Sequence, residues 1–238
     1  MIKLSDVIDA LANTELSTLS VVVDGEIPPE HYRRIVIALN RAISRLATRL
    51  TVKKGFLTLQ TRADEQFYSL TTENTVSSGN PNAYIIDTAL NPFKTEHLLE
   101  ILNISTLKDK HLSLDGSDGV VRISVNKLKF AQDMKEDVYT VTYSALPELI
   151  DVTQFVGEDI VDPETVMIDL PLAYMNALIF FVASVFHAPT VSTLDDLRTR
   201  QDINYHHKFE AECLLLESKG VDIDEDVPTN LFHQRGFI

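Results

Sequence analysis

Histidines, carboxylates and a single thiol are the residues whose spacing could do chemistry. His206 and His207 precede Glu210 and Glu212, and His206 and Glu210 stand four residues apart, on one face of a helix. Such a pair is part of a zinc site, but two ligands are too few to hold the ion. A solvated or interfacial histidine pair is the plainer expectation. Asp222, Asp224, Glu225 and Asp226 begin like a calcium loop. Val227 stands where that loop needs glycine and no bidentate glutamate follows, so the stretch reads as an acidic tail. Asp159, Asp162 and Glu164 could pair for acid–base hydrolysis, yet any acidic chain offers such pairs. Cys213, among Leu214, Leu215 and Leu216, reads as a core thiol. A glycine-rich phosphate loop, a nucleophile elbow and an H-E-x-x-H helix are all missing from the sequence. The expectation is a protein with no catalytic residue, no metal and no cofactor.

Composition narrows the classes further. The 238 residues carry 35 acids against 21 bases, a net charge of −14, with 45% hydrophobic residues. That is enough apolar material for a core, in one domain or two small ones. A lone cysteine cannot staple a secreted scaffold. No apolar run approaches the roughly 18 residues of a membrane span, and the first residues lack a signal-peptide apolar region. DNA wrapping would need a basic footprint, which a net −14 opposes. The charge is uneven: residues 1–110 hold 12 bases and 13 acids, a net of −1, so the remainder holds −13. Either this serves solubility or the second half is built to repel polyanions.

The elements follow from periodicity. Leu4, Val7, Ile8 and Leu11 mark a short helix with Ser5 as its cap. Asn13 to Glu26 is a polar connection carrying a β-like run, Leu19 to Val23. Pro28 and Pro29 open a long helix whose apolar stripe runs from Tyr32 through Ile35, Leu39 and Ile43 to Leu50. Along its flank lie Arg34, Arg41, Arg45 and Arg49, either a solvated face or a contact with an acidic neighbouring subunit or a polyanion. From Lys53 to Ile168 the texture is strand-like. Phe56–Thr61 and Gln66–Leu70 read as a hairpin around Arg62–Glu65. Thr71–Pro81 is a loop, and Ala83–Asp87 and Leu98–Ile104 are further strands. Asp115–Gly119 turns between His111–Leu114 and Val120–Val125. Val138–Ser144 alternates, and Val161–Ile168 closes the β unit.

Asp169 and Pro171 then lead into an almost uniformly apolar helix, Leu172–Ala188, ended by Pro189. Ser192 or Thr193 caps a last helix, with Leu194, Leu197, Gln201, Tyr205, Phe209, Cys213 and Leu216 on its inner face and Gly220 as its stop. The expected fold is α+β. A bundle of four sequence-split helices (1–52 and 169–220) carries an inserted antiparallel β-sandwich or barrel-like domain (53–168) and a C-terminal extended arm (221–238). In the arm, Pro228 and Asn230 precede Leu231 and Phe232, and Phe237 and Ile238 follow. These apolar residues need burial, either back on their own core or on another subunit.

Three stretches carry a resemblance to a known family. They are LSDVIDAL with YRRIVIALNRAISRLATRL, then GFLTLQTRADEQFYSL, then IDLPLAYMNALIFFVASVF with HHKFEAECLLLESKGVD. In them, and above all in the order of elements, the chain resembles the head-to-tail adaptor proteins (head completion or tail tubular proteins) of short-tailed phages. The resemblance implies a virion structural protein without catalytic residues, made in the host cytoplasm and placed in the neck of the tail. It implies a ring of twelve copies that joins the portal protein to tail nozzle or tail-tube proteins. DNA would pass through its channel without specific binding, and no membrane would be involved. The arm, including Pro228, Asn230, Leu231, Phe232, Phe237 and Ile238, would meet the portal, and the β domain would face the tail. Arg34, Arg41, Arg45 and Arg49 would then meet acids of the adjacent copy. Two rivals stand beside this expectation: a tail-fibre attachment or receptor-binding module built on the β domain, and a hydrolase using an acidic pair.

Overall fold

A computed structural model describes residues 1–88, 92–108, 110–132, 137–157, 160–187 and 196–219, with the side chains of 196–203 outside that description. The molecule is α+β, with four helices and several antiparallel sheets among the described residues. None of these helices is long and apolar enough to cross a membrane.

The chain starts with strand β1 (Ile2–Lys3) and passes directly into helix α1 (Leu4–Asn13). Leu4, Val7, Ile8 and Leu11 are all buried, as their spacing requires. Ser5 is not the cap. It lies inside the first turn, Lys3 holds the cap position without a side-chain bond, and Leu4 N–H donates to Val166 O at 2.9 Å. A backbone carbonyl from a distant segment thus satisfies one of the free donors of the first turn. Leu19–Val23 is likewise no strand. It folds as successive turns, and only Val23 and Glu26 bridge, around Asp24 and Gly25 at φ 52° and 85°. A β-branched run without a neighbouring strand has nothing to pair with, and Asp-Gly supplies the left-handed turn.

After a short 3₁₀ turn at Pro29–His31 comes helix α2 (Tyr32–Arg49), with Ile35, Val36, Leu39, Ala42, Ile43 and Leu46 fully buried. Strands β2 (Lys54–Gln60), β3 (Phe67–Ser69), β4 (Ile85–Ile86), β5 (Leu98–Thr106) and β6 (His111–Leu112) follow. Strands β7 (Val120–Ser124), β8 (Lys127–Phe130) and β9 (Val138–Ala145) complete the β unit. Five strands form one sheet in the order β4-β2-β9-β5-β6, and three form a second, β3-β8-β7. The two sheets share one hydrophobic core, to which Leu59, Val141, Ile101 and Ile104 come from the first and Tyr68, Leu128 and Val120 from the second. The alternation of β9 holds: Tyr139, Val141 and Tyr143 are buried, while Val138, Thr140 and Thr142 are half-buried on the other face.

The expected hairpin is a different structure. β2 pairs with β4 and β9, whereas β3 pairs with β8 in the other sheet. Fully buried Tyr68 is the cause. Its hydroxyl accepts from Arg62 N–H at 2.7 Å and donates to Glu65 O at 3.0 Å, curling the connection so that the chain changes sheets. β8 is a strand that periodicity does not announce, because its short KLKF run carries little apolar signal. Val161–Ile168 does not close the β unit either. Its end is strand β10 (Met167–Ile168), which pairs with β1 at the helical end of the molecule.

Helix α3 (Met175–His187) starts after a 3₁₀ turn at Leu172–Tyr174, and helix α4 is Asp196–Ser218. Tyr205 is half-buried, and Phe209, Cys213 and Leu216 are buried, on the inner face that their spacing predicted. The expected Pro189 stop, the Ser192 or Thr193 cap, Leu194 and Gly220 lie outside the described residues, as do the side chains of Leu197 and Gln201. Helices from both ends of the sequence build a second core, separate from that of the β unit, which Ile150, Phe155 and Ile168 also join.

Candidate interaction surface

The basic line of α2 is brought against α4, and its members meet different fates. Arg34 lies over the ring of Phe186, 4.4 Å from its centroid. Arg45 Nη2 is 3.4 Å from Glu210 Oε1. Arg49 donates from Nη1 to the other oxygen of Glu210 and from Nε to Glu217 Oε1 at 2.6 Å. Arg41 is exposed. Two of the four arginines therefore pair with carboxylates of their own chain, more than 160 residues away in sequence. Helical spacing lines arginines up but says nothing of which distant acids face them.

Glu210 is the centre of this cluster, with His206 Nε2 a further 3.9 Å from its carboxylate. Burial pushes its carboxyl upward. The bond from Arg49, with the charges of Arg49, Arg45 and His206, outweighs that and holds it below the ordinary value. His206 and Glu210 are thus parts of an ion-pair cluster. Among the described residues no group of three or more His, Cys, Asp or Glu stands close enough to hold a metal. Cys213 is buried, and burial pushes its thiol up to about 11.

Beside the arginines lies an open groove of about 660 Å³ between α2, the segment around Leu149–Val152 and Phe181 of α3. Asn40 builds its floor in a way sequence reasoning missed. Its side-chain amide donates to Ile150 O at 2.8 Å, and its side-chain oxygen accepts from Ile150 N–H at 3.0 Å. The only sequence signal was a polar residue one step off the apolar stripe. The groove has apolar walls, Leu149 and Phe181, and a cationic rim, Arg41 and Arg45. Such a lining suits an amphipathic acidic segment. The predicted arm residues Pro228, Asn230, Leu231, Phe232, Phe237 and Ile238, the acids Asp222–Asp226 and the hydrolase candidate Asp159 lie outside the described residues.

The β unit offers a second kind of surface. Across the five-stranded sheet Ile86, Thr58, Thr140, Ser105 and His111 fall in one register row, and Phe56, Thr142 and Asn103 in the next. Apart from the histidine these two rows are uncharged, while the adjoining row of Lys54, Ser144 and Glu100 carries one charge of each sign. Charge depletion is a mark of interface cores. On the three-stranded sheet Lys127 and Lys129 lie 5.5 and 5.6 Å from the Phe67 ring centroid.

Two expected outcomes arise here. Arg49→Ala removes two partly exposed ion pairs, so its cost should be about 1 kcal/mol, whereas Arg41→Ala should stay within about 0.5 kcal/mol. Denaturant midpoints at constant slope measure both, and equal costs would contradict the pairing. The second concerns acid. Burial pushes Asp87 up, but the bonds it accepts from Ser77 Oγ and the N–H groups of Ser77 and Phe93 hold it below its ordinary value. Thr153 does the same for Asp151, and Ser117 and Ser113 hold Asp115 down to about 2. All four carboxyls, Glu210 included, are depressed in the fold. Their contribution is therefore complete above the unfolded carboxylate range near pH 4. It is lost as pH falls through the folded values toward about 2. Urea midpoints should be flat from pH 7 to 5 and fall below 4, and Asp87→Asn should flatten that fall.

Fold and surface together define an α+β protein whose helical core is assembled from both ends of the chain and carries an arginine-rimmed groove. Compared with known proteins, the chain matches no family model, and no curated protein matches it.

Proposed function

We propose that this protein is a virion structural component, a ring-forming adaptor between the capsid portal and the tail of a short-tailed phage, without enzymatic activity. One observation carries the reading: the helices before and after the β-rich stretch share a single hydrophobic core. That supports reading the β unit as an insertion between helix pairs, the order of elements on which the resemblance rests. On this reading the helical part is a four-helix bundle (1–52 and 169–220), the 53–168 insert is a sandwich or barrel-like domain, and 221–238 is a portal-binding arm. The partners are the portal protein, tail nozzle or tail-tube proteins and further copies in a ring of twelve. The strongly acidic second half suits a channel wall, because every cationic contact to a DNA phosphate adds affinity and drag. The protein would act in the virion neck after synthesis in the host cytoplasm.

Arg41 is the member of the arginine line that the reading commits to a lateral contact, since Arg45 and Arg49 are engaged by α4. Arg41→Glu should abolish ring formation on portal particles while leaving the unfolding midpoint unchanged. Deleting 221–238 should abolish portal docking with the fold intact. Negative-stain imaging of portal mixtures reads both, and a stable dimer that never binds a portal would sink the proposal.

A second reading, a tail-fibre attachment or receptor-binding module, draws on the two register rows of the five-stranded sheet that hold no acid, lysine or arginine. Such modules are usually trimers, so assembly symmetry separates the two. Phe56→Asp would then abolish recognition but not trimer formation.

A further inference from the structure

A turn on one side of helix α2 and a groove on the other are complementary in charge and polarity. The turn is Val23–Glu26. Val23 N–H donates to Glu26 O at 2.8 Å and Glu26 N–H donates to Val23 O at 3.0 Å, which closes it around Asp24 and Gly25. All four residues are exposed, Val23 at 53%, while Val21 and Ile27 on either side are buried and anchor them. The turn is thus a firm knob that presents one apolar side chain beside two carboxylates. Across the helix, the groove of about 660 Å³ has Ile37, Leu149, Val152 and Phe181 as apolar walls and Arg41 and Arg45 as its charges. No carboxylate lines it. Glu148 and Asp151 flank that wall from outside the lining, and Asp151 accepts from Thr153 N–H at 2.9 Å. Arg45 is shared with Glu210, whereas Asp24, Glu26 and Arg41 have no ion-pair partner among the described residues.

We propose that the groove receives the Val23–Glu26 turn of a second copy of this chain, with Val23 between the apolar walls and Asp24 and Glu26 facing Arg41 and Arg45. Within one chain the two features stand apart. Burial, then the charges of Asp9 and Glu26, push the Tyr32 hydroxyl upward, so the turn belongs to the Tyr32 side of α2. Arg41 follows Tyr32 by nine residues, about two and a half helical turns, and so points the opposite way. A knob and a groove on opposite sides make the contact heterologous: each copy offers its turn to the next and its groove to the one before. Two copies of net charge −14 repel overall, so their contact needs such a local match of opposite sign. The inference rests on the ring of the adaptor reading and names the surface that closes it.

Disulfide trapping in the full chain, mixed with portal particles, tests it. Val23→Cys with Leu149→Cys puts one thiol on the knob and one in the groove, while native Cys213 stays buried. The control pair is Val23→Cys with Ser124→Cys on β7. The knob–groove pair should link between chains at least tenfold faster than the control and give a ladder of products longer than a dimer. Arg41→Glu should slow the linking about tenfold, and adding Glu26→Lys to it should recover most of the rate, a rescue that a local packing defect would not show. Linking no faster than the control in samples whose images show rings overturns the inference and leaves the adaptor reading standing. Products that stop at a dimer overturn it too, because they report a two-fold contact. Samples with neither rings nor a ladder overturn both, and a ladder without rings on the portal upholds the contact against the adaptor reading.

Discussion

Gly55→Val should lower the stability of the protein by roughly 3 kcal/mol or more, the overpacking cost of a filled core plus a lost aromatic contact. Gly55 lies on β2, in register with Tyr143 on β9. A Cβ at Gly55 would overlap the Tyr143 ring, which lies directly over the glycine. That ring is buried and meets Phe93 edge-on at 5.7 Å, so it is held from both sides. A side chain at 55 must expel the tyrosine or separate β2 from β9, the central pair of the five-stranded sheet. A glycine inside a strand is weak on its own and is tolerated here because an aromatic covers it. The double-mutant cycle is decisive. In a Tyr143→Ala background the Gly55→Ala change should become nearly neutral, and a cost that persists there would show that the clash is not the cause.

Phe209→Ala should cost about 3–5 kcal/mol, the range for truncating a fully buried phenylalanine. Phe209 has no exposed surface and sits against Phe181, joining α4 to α3 across the helical core. Removing the ring leaves a cavity that rigid helix backbones fill poorly. Cys213, one turn along the same face, reports the result. It is fully buried, with its thiol pushed up to about 11, so it should resist thiol reagents at pH 8 until the core opens. If opening is global, a loss of 3–4 kcal/mol raises the native labelling rate about 10²–10³-fold, at 1.4 kcal/mol per factor of ten. Unchanged labelling with a lowered midpoint would mean that α4 frays independently of the core.

The two substitutions mark different degrees of legibility. Spacing alone places Phe209, Cys213 and Leu216 on an inner face, because helical periodicity is local and α4 keeps it. α2 is legible for the same reason, as is the alternation of β9. The β2–β3 connection is not. Two apolar runs separated by the four residues Arg62–Glu65 look like a hairpin, and only the buried Tyr68 hydroxyl, bonding across them, sends the second run to another sheet. The partner of β10 is not legible either, because a two-residue strand carries no sign of what it pairs with. Ser5 looks like a cap because of its residue type, while the helix starts one residue earlier, at Leu4, whose N–H is held by Val166 O.

On the surface the sequence determined the arginine line of α2, the charge asymmetry between the two halves and the apolar character of the last residues. These are properties of residue type and helical or linear spacing. The tertiary structure alone decided that Glu210 and Glu217 neutralise Arg45 and Arg49 while Arg41 remains exposed. It also set the end of α4 against the last residue of α2 and ran α3 antiparallel to α4. Partners across 160 residues are chosen by how two cores pack, and no local rule of spacing carries that information.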